Sequence, residues 1–451
     1  MAVGWSGTRE LAALRQTVSL RQVASSASPS ACVAPGGWRT SNKYAREVAD
    51  RSLPERQLRK GIVSDGGDTS RSRRFLAKLL RGEAVTVVAI GGSITWGQGS
   101  TKGSNLDWSS RLFAWLRASF PAANHTLLNR AVPATPSSYM SLCVSWHVPP
   151  DADLVIAEYN INDGPGKADE IRQAHERLLR KLLVYPNRPA VIELLYYRRP
   201  NNFTHCRVFL LAAVPNPRPE HKWEAWTNGQ DHPNDVGHGY LADMVSTFLT
   251  QIMDDLDRHP LEAADDVAAA AELVPPMYRG NYPAKSNACL MGSQFKPLAV
   301  TTEGFAWINE GTADKPKQGW VATAPGSVLE FDVATDITPG NESFIGSASV
   351  AAAIVYLSSY EHMGQAEVSC VEGCTCQSKT LNGHMTGLGT QQSIMLVELS
   401  LAARCRLRVM VLPDTSSGEH KVKVTGIIVS ETSGWLIRDD VEVQPFRMFE
   451  S

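Results

Sequence analysis

Hydrophobic residues follow two alternating patterns along about the first 260 residues of the chain. Val85 to Ile90 is an apolar run rich in β-branched residues, which predicts a buried strand. Trp108 to Phe120 carries apolar residues at helical spacing and predicts an amphipathic helix. The same reasoning predicts strands at Thr126 to Val132, Ala152 to Tyr159 and Ala190 to Tyr197, and helices at Arg73 to Leu80, Asp169 to Leu183 and Tyr240 to Asp254. This alternation predicts an α/β fold, a parallel sheet with helices on both faces, with its active site at the carboxyl ends of the strands.

The pattern changes after about residue 289, where short β-rich segments are separated by Gly, Pro, Asp and Ser. These segments are Ser327 to Val333, Ala352 to Leu357, Ser393 to Leu399 and Lys421 to Val429. Regular short strands of this kind predict an all-β sandwich, of which a jelly roll is one form. We therefore divide the chain into an irregular leader (1–70), an α/β domain (71–256), a linker with about one helical turn (257–288) and a β-sandwich domain (289–445).

Charge and hydropathy exclude two classes of partner. The 44 Lys and Arg residues nearly balance the 46 Asp and Glu residues, so the chain lacks the basic surplus typical of nucleic-acid binding. No apolar run reaches the ~18 residues of a spanning helix, so membrane insertion is not expected.

Three glycosylation patterns, at Asn124, Asn202 and Asn341, fit a secretory route to the cell exterior. The Arg- and Ser-rich first 40 residues instead fit an organelle transit peptide.

The first strand leads directly into a candidate nucleophile, Ser93. Gly91 and Gly92 let the backbone turn sharply, so that the amide of Ser93 can point toward a substrate oxygen. Taken alone, such a segment is also typical of an ordinary turn. The Gly-Lys-Ser/Thr spacing of a phosphate-binding loop is absent, and Thr95 stands where an α/β-hydrolase elbow needs glycine.

Two later segments supply groups that complement a nucleophilic serine. Asn162 and Asp163 follow the third strand, and an Asn amide can donate a hydrogen bond to a developing oxyanion. His232, followed by Pro233, precedes the last predicted helix of the domain and is well placed to act as a base. Each pattern taken alone is also typical of a surface turn.

In this order and at these strand ends, the segments resemble the SGNH (GDSL) serine hydrolases. The resemblance covers about Arg73 to Met253 and rests on Gly91 to Thr95, Asn129 to Tyr139, Tyr159 to Asp163 and Asp231 to His238. It implies that Ser93 is the nucleophile and His232 its general base. It further implies an oxyanion hole made of the Asn162 side chain and the backbone amides of Ser93 and Ala134.

The chain departs from the family pattern at three places. Gly229 stands where the family has an Asp three residues before the catalytic His, so Asp231, the nearest carboxylate, becomes the candidate third member of a triad. A Ser-His dyad oriented by a backbone carbonyl is the alternative. Ala134 replaces a glycine of the family. Residues 198–225 form a shorter segment than the helix and strand that the family has there, which could mark a missing piece of the gene.

The resemblance implies an ester hydrolase that acts on acyl esters, O-acetyl esters above all, of a carbohydrate or another large substrate. No metal or organic cofactor is required, since a serine, a base and an oxyanion hole supply the chemistry. An O-acyltransferase of the same fold is one alternative. A catalytically decayed carbohydrate-binding or adhesion protein is the other.

The eight cysteines lie at positions 32, 143, 206, 289, 370, 374, 376 and 405. The last four could form two disulfides, one disulfide with two free thiols, or a four-Cys zinc site. Aromatic residues of the same region are more typical of a sandwich core than of a sugar-binding platform, namely Trp307, Trp320, Tyr356 and Tyr360.

Overall fold

The computed structural model describes residues 53–62, 68–133, 135–163, 168–196, 223–228, 232–283, 286–311, 316–336, 349–386 and 390–431. Within these residues no helix is long and apolar enough to cross a membrane. Most of the predicted leader, and all but the last three residues of the segment 198–225, lie outside this part of the chain. The described end of the leader contains a helix, because Leu53 and Leu58 are buried in the core of the α/β region.

Four parallel strands form the first sheet, in the order β2-β1-β3-β4. Their bounds are β1 Thr86–Gly91, β2 Thr126–Asn129, β3 Leu154–Glu158 and β4 Ala190–Glu193. Every residue of β3 is buried, and so is β1 after Thr86, which is why both appear in the sequence as nearly continuous apolar runs. The predicted parallel sheet is confirmed.

Helices cover both faces of this sheet, as predicted. Alternate residues of β1 enter two separate hydrophobic cores, Val87 and Ala89 one of them and Val88 and Ile90 the other. The helices are α1 Glu55–Gly61, α2 Ser70–Leu80, α3 Ser93–Trp96, α4 Trp108–Ser119, α5 Ser137–His147, α6 Asn160–Asp163, α7 Ala168–Leu183, α8 Trp223–Trp226, α9 Asp235–Arg258 and α10 Ala263–Ala270. The two-turn helix α10 lies in the predicted linker and is longer than the single turn expected there.

The C-terminal region is a sandwich of two antiparallel sheets, as predicted. Its strands are β5 Ser286–Met291, β6 Ala299–Glu303, β7 Ala306–Asn309, β8 Gln318–Ala322, β9 Val328–Val333, β10 Ser349–Ser359, β11 Gln365–Glu372, β12 Lys379–Asn382, β13 Thr390–Ser400, β14 Cys405–Val411 and β15 Val422–Glu431. One sheet has the order β13-β10-β15-β8-β7, with β5 also paired to β15, and the other has the order β12-β11-β14-β9-β6. Both sheets contribute to one core, which Trp307, Trp320 and Tyr356 also contact, whereas Tyr360 is exposed.

A covalent and hydrophobic contact joins the two regions. Cys143 of α5 and Cys289 of β5 form a disulfide, and both belong to a core that also contains Ala353 and Ile428 of the sandwich. Two further disulfides, Cys370–Cys376 and Cys374–Cys405, correspond to one of the three alternatives that the sequence left open. Helix α5 therefore packs between the parallel sheet and the sandwich.

Candidate active site

The turn after β1 depends on two glycines that have no room for a side chain. A Cβ on Gly91 would lie 2.4 Å from Thr95 Oγ1 and 2.6 Å from the Glu158 carbonyl oxygen. A Cβ on Gly92 would lie 2.0 Å from Asn162 Oδ1. Because real Cβ atoms do not approach other atoms so closely, a side chain at Gly91 would displace helix α3, where Ser93 lies, and one at Gly92 would displace the Asn162 amide.

Ser93 and His232 are in direct contact. Ser93 Oγ lies 2.8 Å from His232 Nε2, although 139 residues separate the two in sequence. For Ser93 to donate this hydrogen bond, Nε2 must be the unprotonated nitrogen of the ring. Both side chains are partly accessible to solvent. The structure thus brings together the nucleophile and base that the sequence predicts.

A short paired segment presents His232 to the serine. The amide of Asn228 donates to the His232 carbonyl oxygen at 3.0 Å, and the amide of Asn234 donates to the Trp226 carbonyl oxygen at 3.1 Å. The side chain of Asn234 also caps helix α9 by accepting hydrogen bonds from the first amides of that helix. These contacts hold His232 between two helices whose positions are set by the core.

Gly99 allows a second loop to approach the histidine. Its φ of +94° lies in the left-handed region that side chains other than that of glycine rarely adopt. A Cβ there would lie 2.2 Å from the Pro233 carbonyl oxygen and 3.0 Å from His232 Cβ. The sequence analysis did not single out this residue, although a glycine three residues after helix α3 was a possible signal.

Asn162 lies on α6, a single helical turn at the carboxyl end of β3. Its amide packs against Gly92, immediately before the nucleophile. Asn129, at the end of β2, donates to the Thr95 carbonyl oxygen at 2.6 Å and so fixes the far side of helix α3. Three of the predicted segments therefore meet around Ser93. Ala134 and Asp231 lie outside the described residues.

A second histidine near this site is not suited to act as a base. His238 is fully buried; the Trp108 amide donates to its Nδ1 at 3.3 Å, and its Nε2 lies 3.2 Å from the Gln98 carbonyl oxygen. Burial lowers the pKa of His238 to about 4, so the ring is neutral near pH 7. Because both ring nitrogens are engaged with backbone groups, His238 joins helix α9 to the loop that follows Ser93.

Glu158 is a buried carboxyl group beneath the nucleophile turn that sequence reasoning did not identify. Thr95 Oγ1 donates to its Oε2 at 3.2 Å, while Oε1 has no hydrogen-bond partner among the described residues. Burial, together with the nearby Asp163 carboxylate, raises the pKa of Glu158 to about 8. The group is therefore largely protonated and neutral at pH 7.

His175 of α7 bridges two carboxylates at the same edge of the sheet. Its Nε2 hydrogen-bonds Glu193, the last residue of β4, and its Nδ1 lies 3.3 Å from Asp163 Oδ2. Burial opposes the charge on the ring, but the two carboxylates outweigh it and raise the pKa of His175 to about 10. His175 is thus a cation at neutral pH.

Among the described residues, one group of side chains has the proximity required of metal ligands. The sulfur atoms of Cys370, Cys374 and Cys405 lie within 4.8 Å of one another in the sandwich. All three sulfurs are joined in disulfides, which leaves no thiolate to bind zinc.

The chemistry that the Ser93 site can perform is acyl transfer through a serine, a histidine and an amide donor.

Comparisons with known proteins support the architecture. No protein-family model and no curated protein matches the sequence. A crystal structure of a two-domain esterase (CEX) active on acetylated mannans, co-crystallised with mannopentaose, matches 81% of this chain and 96% of that chain, with 19% identity and a TM-score of 0.56. A second crystal structure of a two-domain esterase (CEX) active on acetylated mannans matches 83% and 98%, with 18% identity and a TM-score of 0.56. The chain therefore shares with them the fold of an α/β region followed by a β-sandwich.

Proposed function

We propose that this chain is a serine ester hydrolase of the SGNH type that removes acyl groups, O-acetyl groups above all, from a polysaccharide. The observation that carries the proposal is the 2.8 Å contact between Ser93 Oγ and His232 Nε2. That distance is within the hydrogen-bond reach that a nucleophile and its base require. It also argues against the alternative of a catalytically decayed protein.

The proposed reaction proceeds in two acyl-transfer steps. Ser93 Oγ attacks the ester carbonyl carbon while His232 Nε2 takes the hydroxyl proton. The bond to the sugar oxygen then breaks, and His232 returns the proton to that oxygen, which leaves an acyl-enzyme and a free sugar hydroxyl. Water, deprotonated by His232, attacks the acyl-enzyme and releases the carboxylic acid with Ser93 restored.

Negative charge develops on the carbonyl oxygen in both steps. Asn162, packed beside Gly92, is the proposed side-chain donor to this oxyanion. Ser93 is the first residue of helix α3, so its amide has no acceptor within the helix and can serve as a second donor. Ala134 remains the proposed third donor and Asp231 the proposed orienting acid.

The substrate class rests on the fold shared with the two-domain esterase active on acetylated mannans. In this chain too, a sandwich is fixed to the catalytic region, which suits a large acylated carbohydrate better than a small soluble ester. The three disulfides of the described residues support a further proposal, that the protein matures in the secretory pathway.

Ser93→Ala tests the proposal. We expect the wild-type protein to hydrolyse p-nitrophenyl acetate, to release acetate from acetylated mannan and to be labelled by a fluorophosphonate. We expect Ser93→Ala to lose all three, because no other group replaces the nucleophile. Ser145→Ala, at an exposed serine of helix α5, is the matched control and should keep them. Full activity in Ser93→Ala would refute the assignment.

A further inference from the structure

The turn that carries Asn162 is too short to be stable by itself. Helix α6 contains only Asn160–Asp163, and a single turn gains few hydrogen bonds for the dihedral angles that it fixes. Its first residue is anchored from outside by its side chain: Asn160 Nδ2 donates to the Tyr196 carbonyl oxygen, and Asn160 Oδ1 accepts from the Tyr196 backbone amide at 2.9 Å. Contacts beyond the helix therefore set its position.

Asp163 anchors the other end of the turn. Its Oδ1 accepts a hydrogen bond from the Ser137 amide at 2.7 Å, at the start of helix α5. Its Oδ2 faces His175, whose other ring nitrogen is held by Glu193. Asn162 is thus adjacent in sequence to a residue that α5 and α7 contact directly, while Glu193 of β4 holds the His175 ring.

The charges of this cluster also bear on the proposed reaction. Asp163 is almost fully buried and lies one residue from the proposed oxyanion donor, so an unpaired carboxylate there would oppose a developing negative charge. A cationic His175 in contact with Asp163 offsets that charge. The arrangement therefore has both a geometric and an electrostatic effect on Asn162.

We propose that His175 is a positioning residue for the esterase reaction, which acts by fixing Asp163 and, through it, the Asn162 donor. The inference rests on the proposed function. It assigns a role in catalysis to a side chain on α7 whose partners are Asp163 and Glu193. Loss of His175 should displace Asn162 and weaken transition-state stabilisation without a comparable effect on ground-state binding.

Two nearly isosteric substitutions of His175 test its contacts with Asp163 and Glu193 one at a time. The amide nitrogen of Asn can replace Nδ1, which faces Asp163, whereas that of Gln can replace Nε2, which faces Glu193. We expect His175→Gln to lower kcat on p-nitrophenyl acetate by about 10- to 100-fold, with KM changed by less than about threefold. We expect His175→Asn to retain about tenfold more kcat than His175→Gln, because it keeps an N–H group facing Asp163.

A double-mutant cycle with Asn162→Ala tests whether His175 acts through Asn162. In the Asn162→Ala background, His175→Gln should lower kcat by less than about threefold, because the group that it positions is gone. Circular dichroism melting of each variant checks that the fold is retained. An undiminished effect of His175→Gln in that background, or equal kcat for the Gln and Asn variants, would overturn the inference.

Failure of the proposed function gives a different result. If the wild-type protein neither hydrolyses the ester nor reacts with a fluorophosphonate at Ser93, the esterase proposal fails and the role of His175 fails with it. If the wild-type protein is active and His175→Gln is as active, only the role of His175 is wrong.

Discussion

Replacing Glu158 by glutamine should remove a large part of the pH dependence of stability. The carboxyl group lies at the end of β3 beneath the Gly91 turn, fully buried, with one oxygen bonded to Thr95. Its pKa is raised from an ordinary value of 4.5 to about 8. Between these two pH values the folded protein keeps a proton that the unfolded chain releases. Stability therefore falls as pH rises from about 4.5 to about 8.

The size of the effect follows from the two pKa values. Between about pH 5 and about pH 7.5, a group with these values decreases the free energy of unfolding by up to about 3 kcal/mol. Glu158→Gln carries no charge at either pH and nearly preserves the volume of the side chain. From about pH 5 to about pH 7.5, the free energy of unfolding of the Glu158→Gln variant should therefore fall less than that of the wild-type protein, and the difference should be about 3 kcal/mol.

Urea-induced unfolding followed by tryptophan fluorescence, with disulfides intact, provides the measurement at both pH values. Glu361→Gln, at an exposed glutamate in the sandwich, is the control for loss of one carboxyl group and should behave as wild type. Equal pH dependence in Glu158→Gln and wild type, within about 0.5 kcal/mol, would show that the buried carboxyl group does not hold its proton as argued.

The remaining predictions concern the proposed reaction. Asn162→Ala should lower kcat by about 10²- to 10³-fold with little change in KM, and a pure KM effect in steady-state kinetics would instead assign Asn162 to substrate binding. Asp231→Asn should lower kcat by up to about 10⁴-fold if Asp231 orients His232, whereas a change under about tenfold would favour a backbone carbonyl. Gly99→Ala should lower kcat at least about tenfold, because its Cβ would meet the Pro233 carbonyl oxygen at 2.2 Å and shift His232; wild-type kinetics would contradict the packing described.

Elements with a local signal could be predicted from the sequence. Strand β1 is a continuous apolar run followed by two glycines, so both the strand and the position of Ser93 follow from neighbouring residues. Helix α5 was not predicted, because Ser137 and Ser141 are buried in it and hide the apolar periodicity. Its burial comes from helix α7 and the parallel sheet on one side and from the sandwich, a distant part of the chain, on the other.

The candidate site also contains residues that could be predicted from the sequence and residues that could not. Ser93, Asn162 and His232 each lie at the end of a predictable element, so their meeting at one edge of a parallel sheet could be anticipated. The bridge that His175 makes between Asp163 and Glu193 could not, since it joins three elements through side chains alone. Whether a histidine in an amphipathic helix faces solvent or two carboxylates depends on the rotation of that helix, which periodicity specifies only coarsely.

The Cys143–Cys289 disulfide determines how the role of the sandwich can be studied. In the chain-entropy view, a link across 146 residues stabilises the fold by on the order of 5 kcal/mol. The helix that carries Cys143 begins at Ser137, whose amide is bonded to Asp163. Removing the sandwich would therefore expose a free thiol and an apolar helix face, and would loosen a helix that contacts the turn of Asn162. A truncated enzyme could lose activity for this reason alone, so point substitutions on the sandwich surface are the sounder test of polysaccharide recognition, and recombinant production calls for an oxidising host compartment.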